Sequence, residues 1–241
     1  MRSTNDTVSL TDPQLTLDLF CATRHDFAAY HGGPNVAAVN ALEHWCADRG
    51  PRVVYLWGAA GTGKTHLLQA AVRAVSEAGS RAMYVPLAEL VDADPLILDG
   101  LDSVATVALD DVGACAGRAD WEERLFVLYN AVQDSGGRLL WSGAQSPATG
   151  FFGLGDLRSR LAGSLVYQLR ELDDAGKAAV LTALAAQRGL DLPAAVLEFV
   201  LRRERRDMSA LRAILDKLDQ ASLSRGRALT VPFVREVLAG R

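Results

Sequence analysis

The sequence predicts an α/β fold: a P-loop-bearing, parallel five-stranded sheet followed by a small helical lid domain. Three observations carry this. Five short apolar runs alternate with helix-periodic segments through the first two thirds of the 241 residues. Such runs suit strands buried on both faces of a parallel sheet. The first run leads into a glycine-rich loop and then a helix, while the last third carries helical periodicity alone.

The elements follow in order. Residues 1–13 are polar with no apolar period and read as a disordered tail. Gln14 to Phe20 alternates apolar and polar residues, and Pro34 to Arg49 reads as an amphipathic helix through Val36, Val39 and Leu42. Val53–Trp57 is the first strand, and the helix after the glycine loop runs from Lys64 to about Ala78. Further strands are expected at Arg81–Val85, Val104–Leu109, Arg138–Trp141 and Leu165–Leu169, with a helix at Trp121–Gln133. Asp173–Arg188, Pro193–Arg202, Met208–Leu223 and Pro232–Leu238 read as lid helices, with Pro193 near a start and Gly189 after an end. Hence three regions: a tail at 1–20, an α/β domain at 21–170 and the lid at 171–241.

Composition excludes several classes. Hydrophobic residues make up 49% and charged residues 22%, an ordinary globular balance. The net charge is −4, without the basic footprint of a duplex-DNA reader. Direct sequence-specific DNA binding is therefore not expected. Cys21, Cys46 and Cys115 form no CxxC pair, so neither a disulfide framework nor a zinc site follows. No basic-then-apolar leader and no apolar run of ~18 residues is present, so a cytoplasmic protein with no membrane partner is expected.

The glycine loop carries chemistry. Gly58, Ala59, Ala60, Gly61, Thr62, Gly63, Lys64 and Thr65 satisfy the full G-x-x-x-x-G-K-[ST] pattern between a strand and a helix. Glycines let main-chain N–H groups curl around phosphate oxygens, and the helix N-terminus adds partial positive charge. Lys64 is expected to reach the β- and γ-phosphates of ADP or ATP, and Thr65 to help hold Mg²⁺. Lys64 is also the first lysine of the chain, with none following until Lys177; every other cation in that span except histidine is arginine. A compact ammonium is kept where a planar guanidinium does not fit. Val107-Ala-Leu-Asp110-Asp111 is an apolar strand ending in two acids. Asp110 is expected to help hold Mg²⁺, and Asp111 to polarise an attacking water.

These motifs, GAAGTGKTHLL at Gly58–Leu68 and LDDV at Leu109–Val112, resemble the DnaA-related AAA+ family, and within it the Hda branch of regulatory inactivators. Gly32–Asn35, Leu154–Leu161, Leu215–Ser222 and Leu229–Val237 resemble further family segments, so the likeness spans nearly everything from Gln14 on. It implies an AAA+ sheet with a helical lid, and an adenine pocket bordered by Asn35. It implies that Arg160 is an arginine finger pointing into a neighbour's ATP site, with Arg158 as the fallback. Gln14, Leu15, Leu17, Leu19 and Phe20 resemble the peptide by which partners bind the DNA sliding clamp, the DNA polymerase III beta subunit. The implied role is a clamp-bound regulator, nucleoid-associated through the clamp, that makes the DnaA initiator hydrolyse its ATP and so prevents over-initiation.

Two positions depart from the family pattern. After the fourth strand, at the sensor-one position, the chain offers Ser142 and Gln145, with Ala144 between Gly143 and Gln145. At the sensor-two position stands Ser209, with Arg206 and Arg212 about a turn away. Both departures predict weak or no intrinsic ATPase. Other readings are a helicase-loader-like or stand-alone ATPase, which would not need the Gln14–Phe20 stretch, and a DNA-binding initiator. The chain reaches Arg241 directly after the lid, and no recognition helix is expected beyond it. AAA+ proteins commonly pair through the finger face, so a homodimer is a further expectation.

Overall fold

The computed structural model describes residues 26–203 and 208–240. The clamp-peptide residues Gln14–Phe20 and Cys21, and likewise Arg206, lie outside the described residues.

Five strands, β1 (Val53–Trp57), β2 (Ala82–Pro86), β3 (Thr106–Asp110), β4 (Arg138–Gly143) and β5 (Leu165–Gln168), form one sheet in the order β2-β3-β4-β1-β5. Every neighbouring pair is parallel. The apolar runs are explained by coverage on both faces. Along β1, Val53 and Tyr55 enter one core while Val54 and Leu56 enter the other. Likewise Val107 and Leu109 of β3 face opposite to Ala108, and Leu139 and Trp141 of β4 opposite to Leu140.

Helix α1 spans Val36–Cys46, α2 Lys64–Glu77, α3 Leu87–Leu90, α4 Ala119–Asp134 and α5 Gly155–Ala162. Helix α2 buries Leu67, Leu68, Ala71 and Val72 on one face of the sheet. On the other, α4 buries Trp121, Leu125, Leu128 and Val132, a stripe at helical spacing. The lid is α6 (Asp174–Gln187), α7 (Ala194–Arg203), α8 (Met208–Arg225) and α9 (Val231–Leu238) around a separate core that includes Leu181, Val200, Leu211, Leu215 and Phe233. Asp173 caps α6 by accepting from the Gly176 N–H at 2.7 Å, and Thr230 caps α9 through Phe233 N–H. Among the described residues no helix is long and apolar enough to cross a membrane.

Element types match the sequence expectation; the differences are local. The first helix begins at Val36 because Gly33–Asn35 form a 3₁₀ turn. It stops at Cys46, ahead of Asp48 and Gly50, whose φ values of 59° and 88° break the helical path. The third strand starts at Thr106 because Leu101–Ser103 close a 3₁₀ turn just before it. Two helices were not anticipated: α3, a single turn, and α5, which is only eight residues long.

Candidate functional site

The carboxyl ends of β1, β3 and β4 lie side by side, with Trp57 opposite Gly143 and Leu109 opposite Trp141. The chain leaves β1 for the distant β2, while β5 pairs on the other side of β1. This reversal of strand order opens a crevice beyond the strand ends, where ligands of such sheets bind.

Gly58–Thr65 turns out of β1 into that crevice. Gly63 is the N-cap of α2 at φ 90°, and a Cβ there would sit 2.5 Å from the Tyr30 ring. A Cβ on Gly58 would sit 2.4 Å from the Leu169 main-chain oxygen. Both glycines are therefore demanded by close approach as well as by the loop's curvature. The Thr62 hydroxyl donates to Ala59 O at 2.9 Å and tightens the loop. The Lys64 ammonium donates to Gly58 O at 2.8 Å and Ala59 O at 2.9 Å, which holds it over the cradle. Burial lowers the Lys64 pKa, opposed by the charges of Asp110 and Asp111. Those two acids therefore lie within electrostatic reach of the ammonium. Thr65 is exposed in the first turn of α2.

Asp110 ends β3 and is buried, with 6% exposure. Its Oδ2 accepts from the Tyr84 hydroxyl at 2.7 Å, and its Oδ1 accepts from the Ser142 hydroxyl. Ser142 in turn accepts the Asp111 N–H at 2.9 Å. Asp111 is exposed in the left-handed region at φ 53°, turned away from the strand direction. Its charge, after burial, raises the Tyr55 pKa. Of the sensor-one candidates, Ser142 thus braces the two acids from below, while Gln145 is exposed and accepts from Thr149 at 3.4 Å.

Asn35 is 3% exposed. Its amide donates to Arg170 O at 2.9 Å and to the Tyr30 hydroxyl at 3.0 Å, and its oxygen accepts the Arg170 N–H at 2.8 Å. Tyr30 passes the chain on by donating to Thr62 O at 2.9 Å. Asn35 therefore pins the segment before α1 to the β5–lid connection and, through Tyr30, to the phosphate loop. Beside it lies an open cleft of about 590 Å³ lined by His31, Gly33, Pro34, Leu172, Gly176 and Ala179, among others. His66 adds a second tie, its Nε2 lying 2.9 Å from Asp26 O and its ring 5.6 Å from that of Tyr30.

Arg158 and Arg160 part company on α5. Arg158 donates to Phe152 O at 3.0 Å within its own loop. Arg160 is exposed, its guanidinium 5.6 Å above the Tyr129 ring. In the lid, Arg212 is half-buried; burial and then the Arg188 charge lower its pKa, against Asp216. Arg188, just past the C-terminal end of α6, is ion-paired with Asp216 at 2.6 Å. Ser209 lies in the first turn of α8.

Tyr30, Tyr84 and Glu122 were not singled out from the sequence. Glu122 had a signal: an acid at i−3 and i−7 from Leu125 and Tyr129, next to Trp121, on the apolar side of a helix. Tyr84 had none, because Asp110 is remote in sequence, and the contact from Tyr30 to Thr62 is remote as well.

Residues 173–238 match the family model described as Hda, lid domain. Among solved structures, the chain is similar to domain III of the replication initiation protein DnaA from Thermotoga maritima. That match has a TM-score of 0.80 at 24% identity, over 91% of this chain and 97% of that one. AMPPCP-bound DnaA from Aquifex aeolicus matches with a TM-score of 0.63 at 21% identity, over 76% of this chain and 60% of that one. A RuvB variant from Thermotoga maritima matches with a TM-score of 0.68 at 17% identity, over 89% and 71%. At these identities the structural likeness is one of fold: a parallel sheet followed by a helical lid.

Proposed function

We propose that this chain, whose lid matches the Hda lid model and whose fold is similar to that of DnaA domain III, is a DnaA-related AAA+ protein and an ADP- or ATP-binding regulator of replication initiation. In this reading it docks on the DNA sliding clamp and stimulates ATP hydrolysis by the DnaA initiator, supplying Arg160 in trans. The observation that carries the reading is the Hda-type lid joined to a complete Gly58–Thr65 phosphate loop.

The residues fit a nucleotide. Gly63, at a φ of 90°, lets the loop curl into the start of α2, and the Lys64 ammonium hangs over the cradle. Phosphate oxygens would take over the two bonds Lys64 makes to Gly58 O and Ala59 O, and the N-terminus of α2 favours their charge. The cleft beside Asn35, walled by Pro34 and Leu172, suits a base. Mg²⁺, when bound, would neutralise phosphate charge; Thr65 and Asp110 are the residues to hold it. Asp110, braced by Tyr84 and Ser142, keeps one orientation. The AMPPCP-bound relative supports a nucleotide ligand for this fold.

For the trans role, support comes from the hydrogen bonding: both arginines are exposed, but Arg158 is bonded to Phe152 O, whereas the Arg160 guanidinium lies over the Tyr129 ring. A trans arginine is worth ~10³–10⁵ in rate in related phosphoryl-transfer systems. The clamp contact rests on Gln14, Leu15, Leu17, Leu19 and Phe20, whose apolar side chains would suit an apolar groove if the segment bound in extended form.

The test is single-turnover hydrolysis of ATP bound to a DnaA initiator, with DNA-loaded clamp and this protein. Clamp-dependent acceleration by wild type, lost in Arg160→Ala and in Gln14→Ala/Phe20→Ala, is the expected result. No acceleration by wild type would remove the regulatory role and leave a nucleotide-binding AAA+ protein of another kind.

A further inference from the structure

Helix α5, the carrier of Arg160, has a weak start of its own. Its N-cap is Leu154, which makes no side-chain cap. Leucine is among the poorest residues there, and an uncapped helix start leaves main-chain N–H groups without partners. A carboxylate on α4 instead takes up the N–H groups at and just before this N-cap. Glu122 is 2% exposed, and its Oε2 accepts the Leu154 N–H at 2.6 Å. Its Oε1 accepts Gly153 N–H at 3.1 Å and Gly117 N–H at 2.7 Å. An ionised carboxylate is acceptor-only and can take all three; an amide would point a donor at one of them. Among the described residues its charge is met by these N–H groups rather than by a cation. Such a buried charge persists only where its bonds are made well.

The far end of α5 is held by the same helix. Tyr129 stands seven residues after Glu122 on α4, two turns along one face. Its ring lies under the Arg160 guanidinium at 5.6 Å and leans on Trp141 at 6.5 Å. Leu157 and Leu161 bury the inner side of α5 between these two anchors.

We propose that Glu122 and Tyr129 are positioning residues for Arg160: they fix α5 at both ends so that the guanidinium is presented in one geometry to a neighbouring ATP site. This rests on the trans-arginine reading above. Neither residue touches the chain's own phosphate cradle, so both act on the rate in the partner and leave this chain's nucleotide affinity alone.

The experiment measures DnaA-bound ATP hydrolysis with clamp on DNA as a function of the concentration of this protein, full chain throughout. Wild type, Arg160→Ala, Glu122→Gln, Tyr129→Leu and Tyr129→Phe are compared, with ADP affinity and amide exchange recorded for each. Glu122→Gln is expected to lower the maximal rate by ~10-fold or more, since small misplacements of a catalytic group are costly. Its half-saturating concentration and ADP affinity stay unchanged, and exchange at Gly153 and Leu154 quickens. Tyr129→Leu should lose about threefold in maximal rate, the scale of one exposed cation–π contact, and Tyr129→Phe should keep the wild-type rate. Wild-type maxima in both Glu122→Gln and Tyr129→Leu, beside an inactive Arg160→Ala, would overturn the positioning proposal alone. An inactive wild type, or an Arg160→Ala that works like wild type, would overturn the trans-arginine reading and this proposal with it. Should Glu122→Gln fail to fold, the Tyr129 pair and wild-type exchange decide, and unprotected Gly153 and Leu154 amides would count against it.

Discussion

The hydroxyl of Tyr84, on β2, donates to Oδ2 of Asp110 at the end of the adjacent β3, 2.7 Å away. Burial, and after it the Asp110 charge, raises the Tyr84 pKa, so the phenol stays a donor at all ordinary pH. Tyr84→Phe should cost about 1.5–3 kcal/mol of stability, the range for a hydrogen bond to a charged group. It should also weaken ADP binding several-fold when Mg²⁺ is present and leave Mg²⁺-free binding unchanged. Urea unfolding and titration calorimetry with and without Mg²⁺ check this; equal weakening in both conditions would mean that the carboxylate's orientation is not what changed.

Among the described residues, the Lys64 ammonium bonds to its own loop, at Gly58 O and Ala59 O. Lys64→Ala should therefore change the unfolding midpoint little. It should loosen ADP by ~10-fold or more, because a charge-assisted phosphate contact is lost. Calorimetry showing equal affinity would refute the cradle.

Asn35 makes three hydrogen bonds that tie the segment before α1 to Arg170 and Tyr30. Asn35→Ala should destabilise by about 2–3 kcal/mol, since buried partners are left unpaired. A loss within ~0.5 kcal/mol, the scale of a neutral surface change, would contradict the pinning role.

Alkaline pH should unfold the protein early. Burial raises the Cys46 and Cys115 thiols from 9.0 to about 12, and it raises Tyr30, Tyr55 and Tyr84 as well. Each is an acid whose folded pKa exceeds its unfolded value. Its contribution is intact below the unfolded pKa and is lost as pH climbs toward the folded one. Lys64, Arg138 and Arg212, shifted down, work in the opposite direction, but guanidinium groups titrate well above this pH range, which leaves Lys64 against the five acids. The urea midpoint should hold to about pH 8 and fall steadily from pH 9 upward, with a shallower slope in Cys46→Ala/Cys115→Ala. A flat midpoint through pH 10.5 would contradict the burial of these groups.

Much of this architecture was legible in one dimension. Five apolar runs and the helix periods report which faces meet a core, and a parallel sheet with helices on both sides follows from them. The Gly58–Thr65 loop was legible because its motif lies in eight consecutive residues between a strand and a helix. The acids Asp110 and Asp111 were legible because a strand end is a sequence-local event. What only the tertiary structure decided is which distant side chains meet. Tyr84 with Asp110, Ser142 with Asp110 and Asp111, Asn35 with Arg170, and Glu122 with Leu154 join residues 26 to 135 positions apart. Those meetings depend on strand register and on how α4 and α5 pack, and periodicity carries neither. The same holds for the two arginines of Arg158-Ser-Arg160. They are equivalent as letters, and they are separated by one hydrogen bond to Phe152 O and one aromatic face at Tyr129.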